Sequence, residues 1–241
     1  MKPLRMIPLS IFISVLLFVP AYSHSSPLGD LRINLVVGDV QLKTADTGEW
    51  VPAAINTPIE AGDVLWVPEG GKAGMQSRDG SDIRLNGNTS LEVLTLEKNS
   101  YQFYLTTGDA YVNFRAWRGS YFQIDTPVST IRAYDPSVFR VDVSDDGFVR
   151  TSVFKGRADV ENHEGKTTVN AGKALSLGRD HYAELSPLGP SDAWERWNRE
   201  KDRRLAETRY SDRYLPEELR PYAPDFEENG RWVYVREYGY V

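Results

Sequence analysis

Between residues 29 and 187 the sequence alternates, apolar then polar, in short runs cut by glycine-bearing turns. That pattern restricts the region to a strand-rich fold. Leu31, Ile33 and Leu35 flank Arg32 and Asn34, and Ile83 and Leu85 flank Arg84. Leu91 to Leu96, Tyr101 to Leu105, Tyr111 to Phe114 and Phe139 to Val143 continue the period of two, with one slip in the first run. Pro68-Glu69-Gly70-Gly71, Arg78-Asp79-Gly80, Asn86-Gly87-Asn88, Asp145-Asp146-Gly147 and Glu164-Gly165 separate the runs, and their glycines supply the positive φ that tight turns need. No run reads as a helix of ordinary length.

A weak echo lies within this region. Gly38-Asp39-Val40, Gly62-Asp63-Val64 and Gly108-Asp109-Ala110 share a glycine and an acid leading into a strand, and Gly156-Arg157-Ala158 and Gly172-Lys173-Ala174 are looser copies. Stacked turn units in a twisted solenoid or roll would give such an echo. So would glycines that open strands in any hairpin protein. The expected fold is all-β: a twisted β-solenoid or roll of short antiparallel strands, followed by one charged helix and a short aromatic hairpin tail.

The order Gly38-Asp39-Val40, Trp50, Gly62-Asp63-Val64, Asp79-Gly80-Ser81, Ile83-Arg84-Leu85 and Thr89 resembles the FecR domain. Its continuation through Gly108-Asp109, Phe122, Thr126-Pro127, Phe139-Arg140-Val141, Gly156 and Ala171-Gly172 does so too. The stretch from Asp79 to Thr89 is its most specific part. The resemblance implies an all-β periplasmic sensor or interaction domain without enzymatic activity. The best-known relatives join a sigma-factor-binding cytoplasmic segment, one membrane helix and this β domain. Here only Met1 to Arg5 precede the first hydrophobic run, so a direct anti-sigma role is not expected.

That run, from Met6 to Val19, follows Lys2 and Arg5 and ends at Ala21-Tyr22-Ser23. A positive start, a short apolar stretch and small residues before a cut describe a secretory signal cleaved after Ser23. An uncleaved anchor is the rival reading, but the run falls short of the ~20 apolar residues that a span requires, and Pro20 interrupts it. The chain has no cysteine, which fits a bacterial periplasm better than disulfide-dependent secretion.

Pro187 and Pro190 mark a boundary. Ser191 is placed to cap a helix running to Thr208, with Asp192 in its first turn. Trp194, Trp197 and Leu205, with the Lys201 stem, form a narrow apolar stripe. The stripe reads as a solvated helix docking its tryptophans on the β region, because its balanced charge argues against nucleic acid or anionic lipid. Beyond it come Tyr222, the Asn229-Gly230 hairpin signal, Trp232 to Val235, and a final Tyr238-Gly239-Tyr240-Val241. This tail is similar to an uncharacterised aromatic module that follows exported FecR-like domains, and it reads as shortened. Its aromatics suit either a binding surface or a small hairpin core. The expected organisation is a signal peptide at 1–23, the β domain at 29–187, a charged helix or linker at 188–213 and the aromatic tail at 214–241.

Composition narrows the function. With 28 basic and 34 acidic side chains, net charge −6 and pI near 5.2, the chain lacks the basic field of a general nucleic-acid binder. Three scattered histidines and no cysteine predict no metal site, and no phosphate or dinucleotide loop predicts a cofactor. The acid pairs Asp145-Asp146 and Glu227-Glu228 precede turns, where acids bond locally, and neither is a catalytic couple. The expected protein is a non-enzymatic recognition module of the cell envelope with a role in signalling. A glycan- or peptidoglycan-binding module is the alternative. Its partner is a protein or envelope component and not nucleic acid, and Trp194, Trp197, Tyr222, Trp232, Tyr234 and Tyr238 are the candidate contact residues.

Overall fold

The computed structural model describes residues 31–97, 99–116, 119–178, 181–208, 215 and 233–240. In chain order the first strands are β1 (Leu31–Val37), β2 (Gln41–Lys43), β3 (Trp50–Pro52), β4 (Pro58–Ile59), β5 (Val64–Val67), β6 (Lys72–Ser77), β7 (Asp82–Leu85) and β8 (Thr89–Glu97). Then follow β9 (Ser100–Phe114), β10 (Tyr121–Asp125), β11 (Thr130–Ala133), β12 (Ser137–Val143), β13 (Val149–Lys155), β14 (Arg157–Asn162) and β15 (Gly165–Asn170). The β region closes with β16 (Lys173–Gly178) and β17 (His181–Pro187), before a helix α1 (Ala193–Thr208) and a small hairpin of β18 (Tyr234–Val235) and β19 (Gly239–Tyr240).

Hydrogen bonding sorts the seventeen core strands into two faces. One runs β4-β1-β6-β7-β9-β12-β13-β16-β17. The other runs β3-β2-β5-β8-β9-β10-β11-β14-β15. They share β9, whose first half pairs with β8 and whose second half pairs with β12. The all-β expectation holds. One feature departs from short antiparallel strands: β9 has fifteen residues, and β10 pairs with its first half in parallel. Gly108, at φ +91, accounts for the length of β9: it bends the strand from one face to the other and keeps it continuous. The chain then returns beside its own earlier half, completing one coil of a roll.

The glycine echo marks these changes of face. Gly38, Gly62, Gly108, Gly156 and Gly172 all have positive φ, and each lies where the chain passes between the two faces. At Gly108 a side chain has no room: a Cβ would lie 2.3 Å from Thr89 Oγ1 and 2.6 Å from the Asn88 carbonyl. Thr89 is fully buried and accepts a hydrogen bond from the Asp109 amide at 3.0 Å. At the Gly62 crossing, Asp63 accepts from the amides of Ala45 at 2.8 Å and Glu60 at 2.9 Å.

Between the faces lies one hydrophobic core. Phe122 of β10 is at its centre, 5.2 Å from the Phe103 ring, 5.7 Å from Phe114 and 6.0 Å from Phe139. Phe114 and Phe139 belong to the first face and Phe103 and Phe122 to the second, so these rings join the two. Among the described residues α1 is the one helix, and none is long and apolar enough to cross a membrane.

Candidate interaction surface

Alternation sends every second residue of each strand outward, and both outer faces carry polar and aromatic side chains. On the first face Arg84 of β7 lies opposite Tyr111 of β9, which lies opposite Arg140 of β12. Helix α1 docks here. Arg84, 4 % exposed, donates to Asp82 at 2.6 Å and pairs with Asp202 of the helix at 2.9 Å. The Tyr111 hydroxyl donates to Asp202 at 2.9 Å, and Asn198, fully buried, accepts from Arg84 at 3.3 Å. Burial pulls the Arg84 pKa down, but Asp82 and then Asp202 outweigh it and the net shift is upward. Burial, then Asp202, lifts the Tyr111 phenol well above its ordinary range. Both therefore stay protonated, and the helix is fixed through hydrogen-bonded charge.

The helix start is held separately. Asp192, not Ser191, is the cap: its carboxylate accepts from the Glu195 amide at 2.7 Å, and α1 opens at Ala193. The Ser191 hydroxyl instead donates to the Glu195 carboxylate at 2.8 Å. Arg140 reaches the other Asp192 oxygen at 2.5 Å and also contacts Asp142 and, at 3.4 Å, Asp109. A polar cleft of about 250 Å³ lies beside these groups, between the 188–190 segment and β12 and β13.

The candidate contact residues fare differently. Trp194 is 6 % exposed and stacks on Trp197 with ring centres 5.1 Å apart. Trp197 is half-buried, with Lys72 and Lys201 over its ring at 5.9 and 5.7 Å. The docking stripe read from the sequence is real for Trp194, but its other members are the polar Asn198 and Asp202, four and eight residues on. Tyr234 and Tyr238 are 63 % and 75 % exposed in the β18–β19 hairpin. Its turn is at 236–238, with Gly239 at φ +76. Tyr222, Trp232, the Asn229-Gly230 signal, the Glu227-Glu228 pair and the N-terminal segment lie outside the described residues.

The second face is uncovered by α1. Cross-strand registry places Trp50, Lys43, Val64, Glu92, Tyr104 and Asp125 in one outward row. Trp66 lies in the row beside it. Gln102, Gln123 and Arg132 form a parallel row, in which Arg132 donates to Gln123 at 2.8 Å and Gln102 to the Tyr121 hydroxyl at 2.7 Å. Tyr134, half exposed, sits 6.2 Å from Tyr121. At the Asp145-Asp146 turn, Asp146 bonds locally, accepting from the Phe148 amide at 3.2 Å, whereas Asp145 reaches across to β9 and accepts from the Thr107 hydroxyl at 3.0 Å. No group of three or more metal-ligating side chains occurs among the described residues.

Comparison with known proteins bears on this frame. Residues 63–159 match the FecR protein family. The match starts at Asp63, beside the Gly62 crossing, and ends within β14, so it takes in β9, the Gly108 bend and the Phe122 cluster. The resemblance read from Asp79 to Thr89 is therefore borne out, and those residues are structural. Asp79 accepts from the Ser81 amide at 2.8 Å, and the Ser81 hydroxyl accepts from the Arg115 amide at 2.9 Å. Thr126 closes a turn on Ser129 in the same way, at 3.0 Å. Among solved structures, two of a proposed anti-sigma factor from Parabacteroides distasonis, at 1.65 and 2.50 Å resolution, are similar at 16 % identity and a TM-score of 0.47. The alignment covers 52 % of this chain and 59 % of that one. No curated protein matches.

Proposed function

We propose that this protein is a non-enzymatic recognition module of the bacterial cell envelope, acting in envelope signalling through a protein partner. The supporting observation is the FecR match at residues 63–159. The carboxylates around Arg84 and Arg140 are engaged by arginine, Asp145 accepts from Thr107 of β9, and Asp146 serves its own turn. The periplasm is the proposed compartment, with residues 1–23 as a cleaved signal, on the strength of Lys2, Arg5, the apolar run and Ala21-Tyr22-Ser23. Tyr234 and Tyr238 are the proposed partner contacts, because they present large, exposed, amphipathic rings.

Photo-crosslinking from positions 234 and 238 in intact cells, with mass spectrometry of the periplasmic fraction, tests this reading. It expects a discrete crosslinked protein and a chain beginning at His24. An intact N-terminus in the inner membrane would overturn the compartment, and no crosslinked protein from either position would overturn the contact.

The outward rows of the second face favour a second reading, glycan binding. Trp50, Trp66 and Tyr104 offer flat rings there. Retention on purified peptidoglycan sacculi that is lost in Trp66→Ala and Tyr104→Ala would establish it.

A further inference from the structure

We propose that the Asp109–Asp142 pair, joined through Arg140 to Asp192 at the start of α1, is a proton-operated latch holding the helix on the β domain. It goes beyond the recognition role above and does not depend on it.

The registry creates the pair. Asp109 of β9 and Asp142 of β12 are direct cross-strand partners on the outer side of the first face. Two carboxylates so placed repel each other unless a proton or a cation lies between them. Arg140, two residues before Asp142, contacts both and also reaches Asp192 at 2.5 Å. Asp192 simultaneously caps α1 through the Glu195 amide. One guanidinium thus faces three carboxylates, and one of the three is the helix cap.

The charges from every neighbouring element can be named. Arg140 comes from the same strand, Asp109 from β9 and Arg150 from β13, while Asp192 and Glu195 come from the helix start. Arg150 donates to Ser176 at 3.1 Å, and Glu195 is paired with Arg199 at 2.6 Å. Asn86 donates to Asp109 at 2.9 Å. Arg140 is therefore the cation to which all three carboxylates turn.

With a proton on Asp142, two carboxylates share Arg140, and Asp142 hydrogen-bonds Asp109. Without it, a further negative charge competes for the same guanidinium and weakens its hold on Asp192. Burial, opposed by Arg140 and reinforced by Asp109, pushes the Asp142 carboxyl up to about 7. The sign follows from linkage: a carboxyl raised in the folded state contributes stability fully present below its ordinary value of 3.8 and lost as pH rises through about 7. Asp192 works the other way. Burial raises its pKa, but the Glu195 amide and Arg140 outweigh this and hold it below the usual range, so its contribution is lost only in stronger acid. The latch is closed in mild acid and loosens near neutrality.

Amide hydrogen exchange of residues 193–202 in the full chain between pH 5.5 and 8.0, corrected for intrinsic rates, tests the latch. Protection should fall at least fivefold across this range, in step with a carboxyl titration of Asp142 by carbon-13 NMR with a midpoint near 7. Asp142→Asn supplies a permanently neutral hydrogen-bonding group and should abolish the pH response. Asp109→Asn, which removes the repelling charge, should move the Asp142 midpoint down by a unit or more. A flat wild-type profile, a response that survives in Asp142→Asn, or an Asp142 midpoint below 5 would each overturn the proposal.

Discussion

Arg84→Ala tests the idea that buried charge, more than apolar contact, holds α1 on the β domain. The wild-type guanidinium is 4 % exposed and lies 2.6 Å from Asp82 and 2.9 Å from Asp202. Its removal leaves Asp82, equally buried, without its cation, and leaves Asp202 with only the Tyr111 hydroxyl. Breaking a buried pair by deleting one partner costs about 3–5 kcal/mol, because the remaining charge is uncompensated. With a urea slope of about 2 kcal/mol/M, the unfolding midpoint should fall by roughly 2 M. Asp202→Ala is the graded control. Arg84 keeps Asp82, so the loss reduces to one charged hydrogen-bonding site, about 1.5–3 kcal/mol. Urea titrations followed by tryptophan fluorescence report helix docking directly, since Trp194 is buried at the same contact. A shift below 0.5 M for Arg84→Ala, or a larger effect from Asp202→Ala, would refute the reasoning.

Gly108→Ala should destabilise by about 2–5 kcal/mol, combining the strain of a positive φ with a clash against the Thr89 and Asn88 backbone. Thermal unfolding by circular dichroism checks it, and an unchanged Tm would show that β9 does not need this bend. Trp194→Ala should cost about 3 kcal/mol or more and Trp197→Ala clearly less, since Trp194 is 6 % exposed and Trp197 half-buried; equal losses in chemical denaturation would contradict this order.

The sequence carried the strand pattern because β structure with one buried side writes a period of two, and Ile83-Arg84-Leu85 shows it plainly. It also carried the changes of face, since only glycine tolerates the φ of +91 at position 108, and the same glycine-led motif recurs at four other crossings. It did not carry the parallel pairing of β10 with β9, which joins residues 121–125 to residues 100–104 and has no local signature. Nor did it carry the helix anchor. Arg84 sits where alternation puts any solvent-facing residue, and Asp202 is one acid among several on a charged helix. Their partnership spans more than a hundred residues, and local pattern holds no trace of it. The spacing Trp194, Asn198, Asp202 was the available signal, and it is invisible to a search for apolar stripes. The cap at Asp192 and not Ser191 is a shift of one residue, decided by Arg140 from across the fold.

The family-matched stretch, 63–159, should not fold by itself. On the first face β6 pairs with β1 and β13 with β16, and on the second β5 pairs with β2 and β14 with β15. All four partners lie outside the match. So do the buried Leu31, Ile33, Val40, Leu42, Ile59, Val160, Val169, Leu175 and Leu177. Burying each such side chain contributes about 1.5–3 kcal/mol, and without them the remaining core is open to water on both faces, in a class of molecule whose net stability is only roughly 5–15 kcal/mol. Arg84 would also lose Asp202. A fragment of residues 63–159 should therefore show no cooperative melting and little β signal by circular dichroism. A fragment of residues 31–208, which keeps both faces and the helix, should melt as one unit. Limited proteolysis of the full chain should give the same boundary, with the first stable cleavage beyond α1 and not between β17 and the helix. A cooperative transition in the 63–159 fragment near the Tm of the longer one would show that the matched stretch carries its own core, and that the flanking strands and helix are additions to it.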